Sequence, residues 1–212
     1  MNELTQEFGK KLADSIGGGY KFVKSKSSLV KKMENGVKSI TLDFLPSHEA
    51  NVVKLAMHAH IRLDELENRY GPYHLYLGLK ERKDHPSLVK NCDEVFSNKD
   101  LAMSFELDSN KLNEVVTRYA EAIRQDVLPF LDEFYSVDAL VASFEQIDPS
   151  DWVSSDRLTR YLILLSAYSS RLAWKNYEEV AEEFLEYCSK PHAQAYEKLA
   201  ESVINGMREK SE

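Results

Sequence analysis

Between Val37 and Leu63 the chain reads VKSITLDFLPSHEANVVKLAMHAHIRL, and this stretch restricts the fold more than any other. Ile40, Leu42 and Phe44 alternate with polar residues, and Val53, Leu55, Met57, Ala59 and Ile61 recur at every second position further on. Successive side chains of a strand point to opposite faces, so each run predicts a strand with one buried side. Pro46, Ser47 and His48 carry the turn chemistry between them. Opposing Asp43 with Lys54 also opposes Leu42 with Leu55, and this register keeps both apolar sets on one face.

The flanking chain extends the hairpin into a meander. Tyr20 to Val23 and Ser28 to Met33 read as strand, broken near Lys24 to Lys26. Glu34-Asn35-Gly36 predicts a hairpin turn, because Asn-Gly tolerates the positive φ angles of a type I′ turn. Before the meander, Leu4, Phe8, Leu12 and Ile16 form the apolar stripe of a helix over Asn2 to Ile16, which Gly17, Gly18 and Gly19 stop. These glycines follow a helix and no GK[ST] accompanies them, so a phosphate-binding loop is not expected.

After Leu63 the signals are shorter. Asp64 to Tyr70 reads as a helical turn, Tyr73 to Leu79 and Leu101 to Leu107 as strands, and Ser87 to Phe96 as one helical segment. From Ser109 the period changes to 3.6 residues, through Leu112, Val116, Tyr119, Ile123 and Val127. Ser109 or Asn110 can cap this helix, and Pro129 is expected to kink it. Further helices follow over Val137 to Gln146, from a Ser154 or Ser155 cap to Leu172, over Asn176 to Ser189 and over Pro191 to Met207. Strands followed by helices predict an α+β fold: an N-terminal helix, an antiparallel β-meander packed on helices, and a C-terminal helical bundle. The expected domains are 1–148, with the meander and long helix, and 149–212, a helical extension packed on the first.

Charge and cysteine content narrow the setting. The net charge of −8 comes entirely from residues 109–212, which hold 11 Lys and Arg against 19 Asp and Glu. Such a half repels phosphates, disfavours nucleic acid and suits a basic protein partner. Cys92 and Cys188 stand apart with no CxxC pair, which points to a reducing compartment, and MNELTQEFGKK is no secretory signal. The longest apolar run, Tyr161 to Ala167, falls far short of the roughly 18 residues of a membrane span. A cytoplasmic protein with no membrane partner is therefore expected.

Several constellations could carry chemistry. His58, His60 and Arg62 share one face of the third meander strand, and an HxH pair on a strand can give two ligands to one metal. Asp43 or His48 would supply the third ligand; the plainer reading is the polar outer face of a half-buried sheet. Tyr70, Tyr73 and Tyr76 around Gly71-Pro72 could line a pocket, or be core tyrosines whose hydroxyls reach water. Lys21, Lys24, Lys26, Lys31, Lys32 and Lys38 make a basic hairpin, which also reads as an edge protected from strand pairing. Glu178, Glu179, Glu182, Glu183 and Glu186 read as a solvated helix face that could dock a basic partner. No GxSxG, P-loop or Cys-His pairing pattern is present, so no catalytic residue and no cofactor are assigned. The expected binding residues are His58, His60, Arg62, Tyr73 and Tyr76.

Two stretches resemble DUF 4304, a family of uncharacterised bacterial proteins. They are GYKFVKSKSSLVKKMENGVKSITLDF, Gly19 to Phe44, and LPFLDEFYSVDALVASF, Leu128 to Phe144. The resemblance spans about residues 1–145 and implies a helix, a meander and a long helix, with no catalytic residues to carry over. The C-terminal helices, with AWKNYEEVAEEFLEY at Ala173 to Tyr187, look like one tetratricopeptide hairpin, too little for a repeat array. On these grounds a bacterial, immunity-type or other protein-binding module is expected. The rival is a small-molecule or metal-dependent enzyme using the outer face of the sheet.

Overall fold

The computed structural model describes residues 3–46, 52–71, 73, 86–97, 104–106, 111–146, 148 and 157–209. They form two compact units, each discontinuous in sequence. Unit 1 comprises Met1–Ile61 with Leu88–Tyr135, and unit 2 comprises Arg62–Ser87 with Ser136–Glu212. The single boundary expected near residue 148 differs from this division, because residues 62–87 group with the C-terminal helices.

Unit 1 is a sheet covered on one side by helices. Strands β1 (Lys21–Val23), β2 (Ser28–Met33), β3 (Gly36–Pro46), β4 (Val52–Leu63) and β5 (Leu88–Asn91) follow one another in space as in sequence. Strand β6 (Ser104–Glu106) pairs with the start of β4, at Val52 to Lys54, while β5 pairs with His58 to Ile61. The alternation in β4 holds: Leu55, Met57, Ala59 and Ile61 are buried, and the residues between them are not.

Helix α1 (Glu3–Ile16) buries Phe8, whose ring meets Phe44 edge-on at 5.7 Å and Tyr119 at 6.0 Å. Gly9 of the same helix lies against the Phe22 ring, which occupies the space any Cβ there would need. Gly17, Gly18 and Gly19 all take positive φ and end α1, as expected.

Four local expectations for this unit are corrected. The β2–β3 turn is centred on Glu34-Asn35, since Met33 pairs with Gly36; neither central residue has positive φ, so the turn is not type I′. Ser87 to Phe96 is not one helix but β5 followed by α3 (Cys92–Val95). Asp43 does not oppose Lys54: that register would put His58 about 13 Å further along the strand, yet His58 Nε2 is 3.2 Å from Asp43 Oδ2. Finally, the helix running to Pro129 is not a continuous α-helix. Between α4 (Leu112–Ala122) and α5 (Leu128–Glu133) the residues Ile123–Val127 form a π-helical turn, in which the Leu128 N–H donates to Ile123 O. The wider turn accommodates a ring that would clash with the α-helical carbonyl below it.

That π turn also turns two side chains to use. Arg124 donates to Ser15 O at 3.1 Å, tying down the end of α1. Asp126 accepts from the Ser97 N–H at 2.9 Å and the Ser97 hydroxyl at 2.8 Å.

Unit 2 is helical: α2 (Asp64–Tyr70), α6 (Val137–Phe144), α7 (Arg157–Ser170), α8 (Trp174–Ser189) and α9 (Glu197–Glu209). The last begins at Glu197, later than the expected Pro191, after a 3₁₀ turn at Gln194–Tyr196. Helix α7 is the centre, buried at every position from Arg160 to Ser169, because α2, α6, α8 and α9 all pack on it. Its polar groups are satisfied locally. Arg160 donates to Phe144 O at 2.9 Å and to Glu183 at 3.0 Å, and Ser169 donates to Met207 O at 3.1 Å.

Two helix ends yield stability predictions. Ser136 caps α6 by accepting from the Ala139 N–H at 3.1 Å. Ser136→Ala is expected to cost about 1 kcal/mol in a urea melt. At the end of α7, the Ala173 N–H reaches Tyr168 O and the Leu172 N–H reaches Ser169 O, a Schellman ending with Leu172 at φ +55°. Leucine is an unfavourable residue there, and its side chain is 60% exposed, so little packing is at stake. Leu172→Gly is expected to raise stability by roughly 0.5–1 kcal/mol, read the same way.

Candidate functional site

The outer face of the sheet in unit 1 gathers what the sequence placed there. On β4, His58 and His60 project away from the apolar set. On β3, Asp43 projects to the same side and pairs with His58. On β5, Asn91 lies opposite His58, and Val89 lies opposite His60. Val89 is 42% exposed, and Leu45, two residues beyond Asp43 on β3, is 49% exposed. Unit 1 thus presents two uncovered aliphatic side chains beside a carboxylate–imidazole pair.

The two imidazoles differ in chemistry. His58 is partly open to water and shares a charge-assisted contact with Asp43. His60 is more enclosed: its Nε2 is buried with no hydrogen-bond partner among the described residues. Burial, and next the neighbouring His58, lower its pKa to about 4 against a weaker opposing pull from Asp43, so the ring is neutral at pH 7. The ring centres stand 6.4 Å apart. Among the described residues, no group of three His, Cys, Asp or Glu side chains is arranged to hold a metal ion. His48 lies outside the described residues.

The remaining expected residues fall in unit 2. Arg62 pairs with Asp64 at 3.1 Å. Tyr73 is buried, with its hydroxyl against the backbone of Gly206 in α9, so it fills space rather than lining an open pocket. Tyr76 lies outside the described residues. Tyr70 sends its hydroxyl not to water but to Glu67 Oε1 at 2.6 Å, where the Ser87 hydroxyl also donates at 3.2 Å. Ser87 in turn accepts from the Leu63 N–H at 2.9 Å. This buried chain of hydrogen bonds ties Ser87 to α2 and to the end of β4.

No family model, curated protein or solved structure matches the chain. No helix among the described residues is long and apolar enough to cross a membrane.

Two charged features change meaning in three dimensions. Lys38 is not part of a solvated edge. Period two puts it on the face of Ile40 and Leu42, and it is buried, with Nζ 2.5 Å from Asp132 and 4.5 Å from the centre of the Tyr135 ring. Lys31, directly opposite, sets its ammonium 5.8 Å from the centre of the Tyr20 ring. The glutamates of α8 are largely engaged within unit 2: Glu178 with Arg208, Glu179 with Lys175, Glu183 with Arg160 and Glu186 with Lys190. Both cysteines are buried free thiols, with burial pushing Cys92 up to about 12 and Cys188 to about 11, which leaves little reactive thiolate.

Proposed function

We propose that this protein is a non-catalytic interaction module of the immunity type, working in the cytoplasm and binding a protein partner through the outer face of β3, β4 and β5. One observation carries the reading: Leu45 and Val89 stand exposed on either side of the Asp43–His58 pair. Apolar side chains mixed with a few oriented polar groups are the usual make-up of a protein–protein interface. The partner is basic overall, matched to a chain of net charge −8 whose unit 2 holds 13 Lys and Arg against 19 Asp and Glu. Long-range attraction of that kind speeds encounter, while the sheet face supplies the contact.

The test is a capture from source-cell lysate, followed by reconstitution with the purified partner. The double variant Leu45→Ser/Val89→Ser is expected to bind at least tenfold more weakly than wild type, with unchanged circular dichroism. Equal affinity of the folded variant would overturn the reading. Stoichiometric metal in tag-free protein, lost in a folded His58→Ala/His60→Ala variant, would overturn it in favour of a metal-dependent enzyme.

A further inference from the structure

We propose that Asp43, His58 and His60 form an acid-sensitive latch on the sheet of unit 1, in which protonation of His60 frees strand β5 from β4. The latch needs no partner, so it stands or falls apart from the binding role.

The geometry sets up a competition that protonation cannot resolve in place. From β3, the carboxylate facing this cluster is Asp43, and His58 Nε2 already engages it at 3.2 Å. On β4 itself the neighbours along the same face are His58 on one side and Arg62 on the other, and neither is a carboxylate. From β5 come Val89 and Asn91, which carry no charge; Lys90 lies on the opposite face and pairs with Glu94 at 2.6 Å. A proton on His60 would thus place an imidazolium beside the His58 ring, whose Nε2 already engages the Asp43 carboxylate. Its buried Nε2 has no acceptor among the described residues. A charged group so placed must move to water or find a new partner.

Strand β5 is the element that can yield. It is four residues long and contributes Val89 and Asn91 to the exposed surface. Short, partly exposed pairings open at lower cost than core strands. The lowered basicity of His60 agrees with a folded form that resists the proton and an open form that accepts it.

Two measurements on the intact protein test this. Proton NMR titration of the histidine rings is expected to show His60 titrating near pH 4, well below the ordinary imidazole value of 6.5. Hydrogen exchange, corrected for intrinsic rates, is expected to show the β5 amides losing protection at least tenfold between pH 7 and pH 4.5 while remaining less protected than the α4 amides throughout. His60→Gln is expected to abolish that loss. A His60 titration near 6.5 in the folded protein would overturn the proposal, without need of any variant. So would an equal loss of β5 protection in His60→Gln.

Discussion

Phe8→Ala is expected to destabilise unit 1 by about 3–5 kcal/mol, the range for emptying a fully buried aromatic site. The Phe8 side chain is 0% exposed, and its ring bridges Phe44 of the sheet and Tyr119 of α4. Both contacts are edge-to-face, so truncation removes two aromatic pairings along with the buried area. The surroundings cannot collapse into the void easily. Gly9, the next residue, is already closed over by Phe22, and Arg124 holds the end of α1 in place. Urea denaturation followed by circular dichroism measures the loss. A cost under about 1 kcal/mol would mean that α1 does not cover the sheet as described.

The second large effect is on pH dependence. His60 has a folded-state pKa lowered to about 4 from the ordinary 6.5, chiefly by burial. The unfolded chain therefore binds the proton first as pH falls. Stability from this group is complete above about pH 6.5 and is lost progressively down to about pH 4, where the folded form protonates as well. The full loss is about 3 kcal/mol, from 1.36 kcal/mol per pKa unit. Carboxylates elsewhere also titrate in the lower part of this window, so the comparison is between wild type and His60→Gln. The variant is expected to lose about 3 kcal/mol less between pH 7 and pH 4, read from urea melts at each pH. Parallel curves for the two proteins would show that His60 is not held neutral by its surroundings.

Much of the fold was legible because its strongest signals are periodic and one-sided. The alternation from Val37 to Leu63 survives intact in β3 and β4, with His58 and His60 on the outer face. Tyr161 to Ala167, the longest apolar run, became the buried centre of unit 2. Lys38 was legible too, since period two puts it beside Ile40 and Leu42. A lysine among lysines nevertheless reads as surface, and its partner Asp132 is remote in sequence.

Other features were not readable for physical reasons. Strand β5 and helix α3 are four residues each, too short for any period to declare itself. The π turn is a response to Pro129 that depends on how the chain around it packs, not on residue type alone. What encloses His60 Nε2 is a tertiary matter, invisible to a strand pattern that reports only which side a residue faces. The regrouping of residues 62–87 with the C-terminal helices likewise rests on contacts between distant segments, such as Arg69 with Ser169 at 2.9 Å.

The sheet of unit 1 has a covered oily side and another side that presents Asp43 and two unequal imidazoles. Diethyl pyrocarbonate labelling at pH 7, read residue by residue by mass spectrometry, tests that arrangement directly. His58 is expected to react readily and His60 at least tenfold more slowly, the two rates converging once the protein is unfolded in urea. Two unreactive rings in the folded protein would put the pair in the interior, and two equally fast ones would deny His60 its enclosure; either result would contradict the account.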